Sequence, residues 1–399
     1  MKGRFNAANY EEIKSGLTSD IYFFRTVEIL KRENVNPYVV AEFTMHRPPK
    51  NWPWVVFTGL DEVIELLEGI NVDLYAIPEG TIVPHKDYYG VKVPVMHIQG
   101  KYADFAIYET PILGMISQAT GIATKAARIK KIAGDKTVLA FGIRRMHPAI
   151  APMIDRASYI GGCDAVSSII GAKTIGIKPT GTMPHALILA LGSPEKAWIA
   201  FDKHMPEDVP RIALADTISD EKREALRAAE ILGERLYGVR LDTPSSRRGN
   251  MKDIVTEVRW ELKLRGFDHV KIVVSGGLDE EEVEELRDVV DAFGVGSSIS
   301  NAPAVDFAMD IVEVEGQPIS KRGKIAGRKV LMKCESCKNY FVFPAGKEVT
   351  KCPVCNGQLR PLLKKYIENG RVIKEPEDPK EIRKRVLEQL KDVNLNSYP

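Results

Sequence analysis

Apolar and polar positions follow two rhythms along this chain, and the rhythm changes near residue 135. Before that point the elements are mixed. Residues 18–31 read as an amphipathic helix, with Thr18 or Ser19 as its cap. Residues 39–46 alternate like a strand, residues 54–58 form another, and residues 61–67 form a helix. Between residues 76 and 99, Gly80, Pro84, Gly90 and Pro94 split β-type pieces into hairpins or a small sandwich or barrel-like sheet. Ile112, Met115, Ile116 and Ala119 have helical spacing, which predicts a long helix over residues 109–132, ended by Gly134-Asp135.

After residue 135, short apolar runs alternate with longer amphipathic ones. Strands are expected at 137–141, 174–177, 211–215, 239–241 and 270–274, with 294–299 closing the series. Helices are expected at 147–160, after Pro184, and at 220–236, 251–265 and 280–293. About six strand–helix units in succession imply a parallel sheet with helical crossovers. Polar residues recur after nearly every strand. That favours a barrel, whose strand ends converge on one mouth, over an open sheet that gathers them at one switch point. The expected architecture is α/β: an irregular parallel barrel of about six strands over residues 113–301, with an N-terminal α+β domain over 1–112. Residues 302–330 and the tail 366–399 are expected to join that N-terminal domain. The tail helix carries Ile382, Val386 and Leu390 on one face.

Composition narrows the class. With 399 residues, 44% hydrophobic and 28% charged, the chain suits a soluble globular protein of two or three domains. A net charge of +2 supplies no global field for nucleic acid or a membrane surface. The N-terminus lacks the apolar h-region of a signal peptide, and no apolar run is long enough to cross a bilayer, so the expected location is cytoplasmic.

Five cysteines are not a disulfide framework in such a chain, and Cys163 stands alone. The other four form two C-x-x-C pairs, Cys334/Cys337 and Cys352/Cys355, separated by 14 residues. That spacing predicts a closed, structural zinc site with four thiolate ligands, in a small ribbon over residues 331–365 with Tyr340 and Phe341 in its core. So small a piece would draw its fold from the metal.

The candidate chemistry lies at the strand ends. Lys178-Pro179-Thr180-Gly181-Thr182-Met183-Pro184-His185 is a polar turn opening into an apolar helix, a setting for an anion beside a titratable imidazole. Taken alone, His185 is more plainly a helix-capping histidine. The other strand ends add Phe141 and Arg144, Asp216, Arg240 and Asp242, then two glycine turns, Ser275-Gly276-Gly277 and Gly294-Val295-Gly296-Ser297. Asp216 and Asp242 could merely cap helices, and Arg240 could be a structural ion-pair partner. Two phosphate turns, two arginines, two carboxylates and a histidine together suggest a sugar diphosphate held with Mg²⁺.

These residues, in this order, resemble the nicotinate phosphoribosyltransferases, of the type II phosphoribosyltransferase fold. The resemblance rests on Ser19-Asp20-Ile21-Tyr22, Glu109-Thr110-Pro111, Phe141-Gly142-Ile143-Arg144, Gly181-Thr182-Met183-Pro184-His185, Arg240-Leu241-Asp242-Thr243 and the two glycine turns. Thr243 departs from a serine common in the family. The resemblance implies joining nicotinate to phosphoribosyl pyrophosphate, with ATP as co-substrate and His185 as the phosphorylated residue. It implies a homodimer or higher oligomer with shared sites, Tyr22 reaching a neighbour's barrel. Tyr22 and Phe141 would sandwich the pyridine, Arg240 would meet the nicotinate carboxylate, and Asp216 and Asp242 would face ribose and Mg²⁺. Arg144 would hold pyrophosphate, and Thr182, Ser275, Gly276, Gly277, Gly294, Gly296 and Ser297 would complete the substrate site. Quinolinate or nicotinamide as the base is the alternative within the class. A zinc-ribbon nucleic-acid-binding protein is the alternative outside it, and the net charge of +2 disfavours it.

Overall fold

The computed structural model describes residues 5–398; the extreme ends of the two terminal segments fall outside the described residues. The chain divides into two compact units, residues up to 124 with those from 303 onward, and residues 125–302.

The first unit is built on a seven-stranded antiparallel sheet. Tyr38–Met45 is an inner strand, pairing with Phe307–Val314 on one side and with the central strand Pro94–Lys101 on the other. Val39, Ala41, Phe43 and Met45 alternate into the core, as a period of two requires. The opposite face is covered too, and there Glu42 is neutralised by buried Lys329 at 3.1 Å. Along the helix Glu109–Ala133, Ile112, Ile116, Ala119 and Ala123 form a buried stripe. Thr120 and Thr124 are buried polar residues on that helix. Their hydroxyls accept the Thr58 and Val56 amides at 3.1 and 2.9 Å, which satisfies backbone that would otherwise be orphaned.

The helix expected over 18–31 runs Ile21–Arg32, after a short one at Tyr10–Lys14, and its cap position is Asp20, not Thr18 or Ser19. Ser19 donates instead to Thr110 Oγ1 at 3.3 Å, and Thr110 donates to Asp20 at 3.0 Å, so tertiary bonds take the groups that capping would use. Strands Lys329–Cys334, Tyr340–Pro344 and Leu359–Pro361 form a small antiparallel sheet. Phe341, Cys334, Cys352 and Leu359 make its own core, whereas Tyr340 belongs to the main core and donates to the Ile82 carbonyl at 2.6 Å. The tail helix Pro379–Leu390 buries Ile382, Val386 and Leu390, and Gln389 donates to the Gly80 carbonyl at 2.8 Å.

The second unit contains six parallel strands: β1 (Thr137–Ala140), β2 (Ala165–Val166), β3 (Ile212–Leu214), β4 (Gly238–Leu241), β5 (Lys271–Ser275) and β6 (Ala292–Val295). Their order is β2-β1-β6-β5-β4-β3. The last strand pairs with the first, and the ring follows chain order with one seam, between β2 and β3, free of hydrogen bonds. That is an irregular barrel.

Two strand assignments change. Residues 169–175 are helical, not a strand. Thr174, Ile175 and Ile177 have β character, but Ser168 caps the Gly171 amide and Gly176 closes the helix at φ +75°. The second strand is β2, two residues long. Helix α3, numbered here after α1 (His185–Leu191) and α2 (Glu221–Leu232), spans Glu280–Leu286, so Phe293 lies in β6 rather than at a helix end.

Candidate active site

Five strand ends and the turns after them enclose a cavity of about 1250 Å³, within the second unit; the end of β3 stands behind them, reaching His185 through Asp216. Its lining includes Phe141, Arg144, Thr182, His185, Arg240, Asp242, Ser275, Gly276, Gly277, Gly294, Gly296 and Ser297. The barrel therefore gathers residues that lie far apart in sequence.

His185 opens α1, with Pro184 at the cap position and no side-chain cap. The imidazole is 40% exposed. Its Nδ1 lies 2.9 Å from Thr217 Oγ1, and Nε2 faces Asp216 Oδ1 at 3.7 Å and Asp242 Oδ2 at 3.5 Å. One nitrogen is held by a hydroxyl and the other looks onto two carboxylates. The capping reading of His185 fails on this geometry.

Asp216 ties two strand ends together. Its Oδ2 accepts the Asp242 amide at 2.8 Å and the Thr243 hydroxyl at 3.0 Å. Threonine thus keeps the hydroxyl that serine would provide. The Asp216 side chain is 2% exposed and its Oδ1 has no hydrogen-bond partner. Burial pushes its carboxyl above the usual range, against the pull of the Asp242 amide and of His185. Ser275 donates to Asp242 Oδ1 at 2.7 Å, so this hydroxyl orients the carboxylate. Arg240 donates from Nη1 to Thr182 Oγ1 at 2.6 Å and lies 3.7 Å from Asp242, and its buried Nε has no partner. A buried donor and a buried acceptor left unsatisfied, one on the cavity wall and one just behind it, are costly without a ligand.

The two glycine turns differ in what they need. Gly276 and Gly277 have φ of +95° and +74°, a region that favours glycine, and a Cβ on Gly276 would stand 2.9 Å from the Asp242 carbonyl. Their amides donate to no backbone carbonyl among the described residues. Gly294 lies against the Phe141 ring, which a Cβ would approach to 2.7 Å. Ser298 donates to the Leu278 carbonyl at 2.7 Å and links the two turns.

Tyr22 is outside this set. It lies on Ile21–Arg32 in the first unit, 55% exposed, its ring 4.3 Å from that of Phe23. Thr217 carried no sequence signal beyond its place after Asp216. Its partner is set by a crossover, which no local spacing shows.

The four cysteine sulfurs lie within 4.8 Å of one another. Cys334–Cys355 and Cys337–Cys352 are separated by 3.5 and 3.7 Å. A tetrahedron with metal–sulfur bonds of about 2.3 Å has edges of about 3.8 Å, so the donor set fits such an ion. The Cys337 and Val354 amides point at Cys334 and Cys352 sulfurs, both at 3.4 Å.

Two family models match the chain: the quinolinate phosphoribosyl transferase N-terminal domain over residues 20–120 and C-terminal domain over residues 122–310. The crystal structure of nicotinate-nucleotide pyrophosphorylase from Pyrococcus furiosus shares 58% identity, with 98% of each chain covered and a TM-score of 0.94. Nicotinate phosphoribosyltransferase of Bacillus subtilis is 28% identical over 77% of this chain and 68% of its own. Human nicotinic acid phosphoribosyltransferase shares the fold, with a TM-score of 0.78, 20% identity, and 94% and 93% of the two chains covered. With these likenesses running through both units and a barrel mouth of the kind just described, the chain belongs to the nicotinate phosphoribosyltransferase family, type II phosphoribosyltransferases of NAD biosynthesis.

Proposed function

We propose that the barrel mouth joins nicotinate to phosphoribosyl pyrophosphate, releasing pyrophosphate, with ATP hydrolysis coupled through phosphorylation of His185. The observation that carries this reading is the imidazole, part exposed and held between the Thr217 hydroxyl and two carboxylates. The unpaired Arg240 Nε is the donor for the nicotinate carboxylate, a charge-assisted bond that satisfies a buried group. Phe141, backed by Gly294, offers a flat face to the pyridine. The amides of Gly276 and Gly277 take the 5′-phosphate, and Arg144, exposed at the rim, takes pyrophosphate.

Asp216 and Asp242 are hard oxygen donors suited to Mg²⁺, which when bound would neutralise charge on the leaving pyrophosphate. The same carboxylates face a ribose that becomes positive as the glycosidic bond loosens, and fixed negative charge there favours the transition state. A phosphoryl group on His185 adds nearly two negative charges at this wall, which changes substrate and product affinities unequally. The cysteine cluster is assigned to structural Zn²⁺. Tyr22, exposed on its helix, is assigned to a neighbour's cavity in a homodimer.

Product analysis with nicotinate, quinolinate and nicotinamide, each with and without ATP, tests the reading. Nicotinate should turn over fastest and ATP should stimulate it. His185→Asn should lose the stimulation while slower ATP-free transfer persists; undiminished stimulation would end the assignment. A preference for quinolinate would move the chain to the other base.

A further inference from the structure

Outside the cavity lining, one buried acid is bonded in an unusual way. Glu224 stands in the first turns of α2, its residue 4% exposed. Its carboxylate accepts three consecutive backbone amides of the turn after β3: Thr217 at 3.0 Å on one oxygen, Ile218 and Ser219 at 2.7 Å on the other. The turn itself is otherwise open, with Ile218 64% exposed. A turn in water, with three amides aimed at one buried charge, has a single strong anchor. That anchor fixes the residue whose hydroxyl sits 2.9 Å from His185 Nδ1.

We infer that Glu224 is a positioning residue for His185, acting through Thr217 to set the orientation and tautomer of the imidazole. The inference rests on the assignment of His185 made above. The Thr217 hydroxyl is the only group bonded to either ring nitrogen among the described residues, since both carboxylates stand at 3.5 Å or more. Without it the ring can turn about its own bonds, and Nε2 leaves its place before Asp216 and Asp242. The effect belongs to phosphorylation of the ring, which depends on where the nitrogen points.

Substitution separates the parts. In Glu224→Gln one oxygen becomes an NH₂ donor. Keeping the pair of bonds to Ile218 and Ser219 places that NH₂ against the Thr217 amide, so the variant unhooks Thr217 in particular. Thr217→Val removes the hydroxyl at similar volume, and Thr217→Ser restores it.

The test measures two things on the full-length protein. The first is the ratio of ATP-coupled to ATP-free transfer, with the phosphohistidine yield. Thr217→Val and Glu224→Gln should each lower both on the order of tenfold, as expected for one bond to a charged or polar ring nitrogen, and Thr217→Ser should restore them. The second is the ¹⁵N shift of the His185 ring in the absence of ATP, which reports the tautomer directly. Both Thr217→Val and Glu224→Gln should move it toward the values of a free imidazole. An unmoved ring signal in either variant overturns the inference. So does a coupled-to-uncoupled ratio equal to wild type in a protein that phosphorylates His185. If His185→Asn keeps full ATP stimulation, the assignment of His185 fails instead, and the ring shifts still decide whether Glu224 and Thr217 set its orientation.

Discussion

The four-cysteine ribbon and the barrel mouth are both built from polar residues brought within a few ångströms, yet they are assembled in opposite ways. The ribbon takes its ligands from two short pairs, Cys334/Cys337 and Cys352/Cys355, at a strand end and the turns of one small sheet. The mouth takes a few residues from each of five strand ends, with Asp216 of the sixth behind them, and joins Asp216 to Asp242 and Arg240 to Thr182 across crossovers. In the first case geometry follows from spacing, and the ion would hold the fold. In the second the fold holds the geometry, and several of its polar atoms remain unsatisfied until a ligand arrives. A structural site is closed on itself; a reactive one carries unmet demand.

The largest expected effect breaks the ribbon. Stripping the metal with a chelator, or making Cys337→Ser with Cys352→Ser, should forfeit a binding free energy of about 10 kcal/mol or more. Melting should fall by about 10 °C or more, with loss of amide protection over residues 329–361. Scanning calorimetry with hydrogen exchange measures both. If transfer activity, assayed after the chelator is removed and Mg²⁺ restored in excess, is lost while that protection persists, the cluster belongs to the chemistry and the contrast collapses.

The next effect is on the mouth, where function and stability should move oppositely. Asp216→Asn keeps an oxygen to accept the Asp242 amide and Thr243 hydroxyl, and replaces the unsatisfied Oδ1 by a donor. We expect kcat/KM to fall on the order of 10²- to 10³-fold, as for loss of one preorganised electrostatic group. Melting of the ligand-free protein at pH 7 should rise. The sign follows from the raised folded pKa: the folded state keeps its proton longer than the unfolded chain. Stability is full below the unfolded value of about 4, and is lost as pH climbs through the folded one. The gain of the variant should therefore vanish near pH 4. A variant less stable at pH 7 than wild type would mean that Asp216 holds the barrel together, as the cysteines hold the ribbon.

The smallest effect concerns the glycine turn. Gly276→Ala places a methyl 2.9 Å from the Asp242 carbonyl at φ +95°. A cost of about 1–3 kcal/mol is expected, with a raised KM for phosphoribosyl pyrophosphate. Gly249→Ala, where a Cβ meets nothing within 4 Å, is the control. Equal KM values for the two would remove the turn from the phosphate site.

The same contrast explains how far the sequence could be read. Cysteine spacing states the ribbon almost outright. The barrel was legible as a succession of strand–helix units, and its polar ends as a list, because those ends follow apolar runs. Strand β2 was not legible: Ala165–Val166 is too short for any periodicity and exists because β1 lies beside it. The β-branched residues at 174–177 offered a false strand, overruled by the Ser168 cap and Gly176. Thr217 and Glu224 were invisible as a pair with His185, since a threonine after an aspartate and a glutamate in a charged helix look like ordinary surface.

The ladder between Tyr38–Met45 and Phe307–Val314 has a consequence for how the protein is made. Tyr38–Met45 obtains one of its two neighbours from Phe307–Val314, which a ribosome delivers only after the whole barrel. At roughly 5–20 residues per second, the nascent strand waits tens of seconds with one edge unpaired. Such an edge is a template for wrong partners. Truncated messages ending soon after the barrel should therefore yield aggregates, and full-length translation gives the early strand its proper companion.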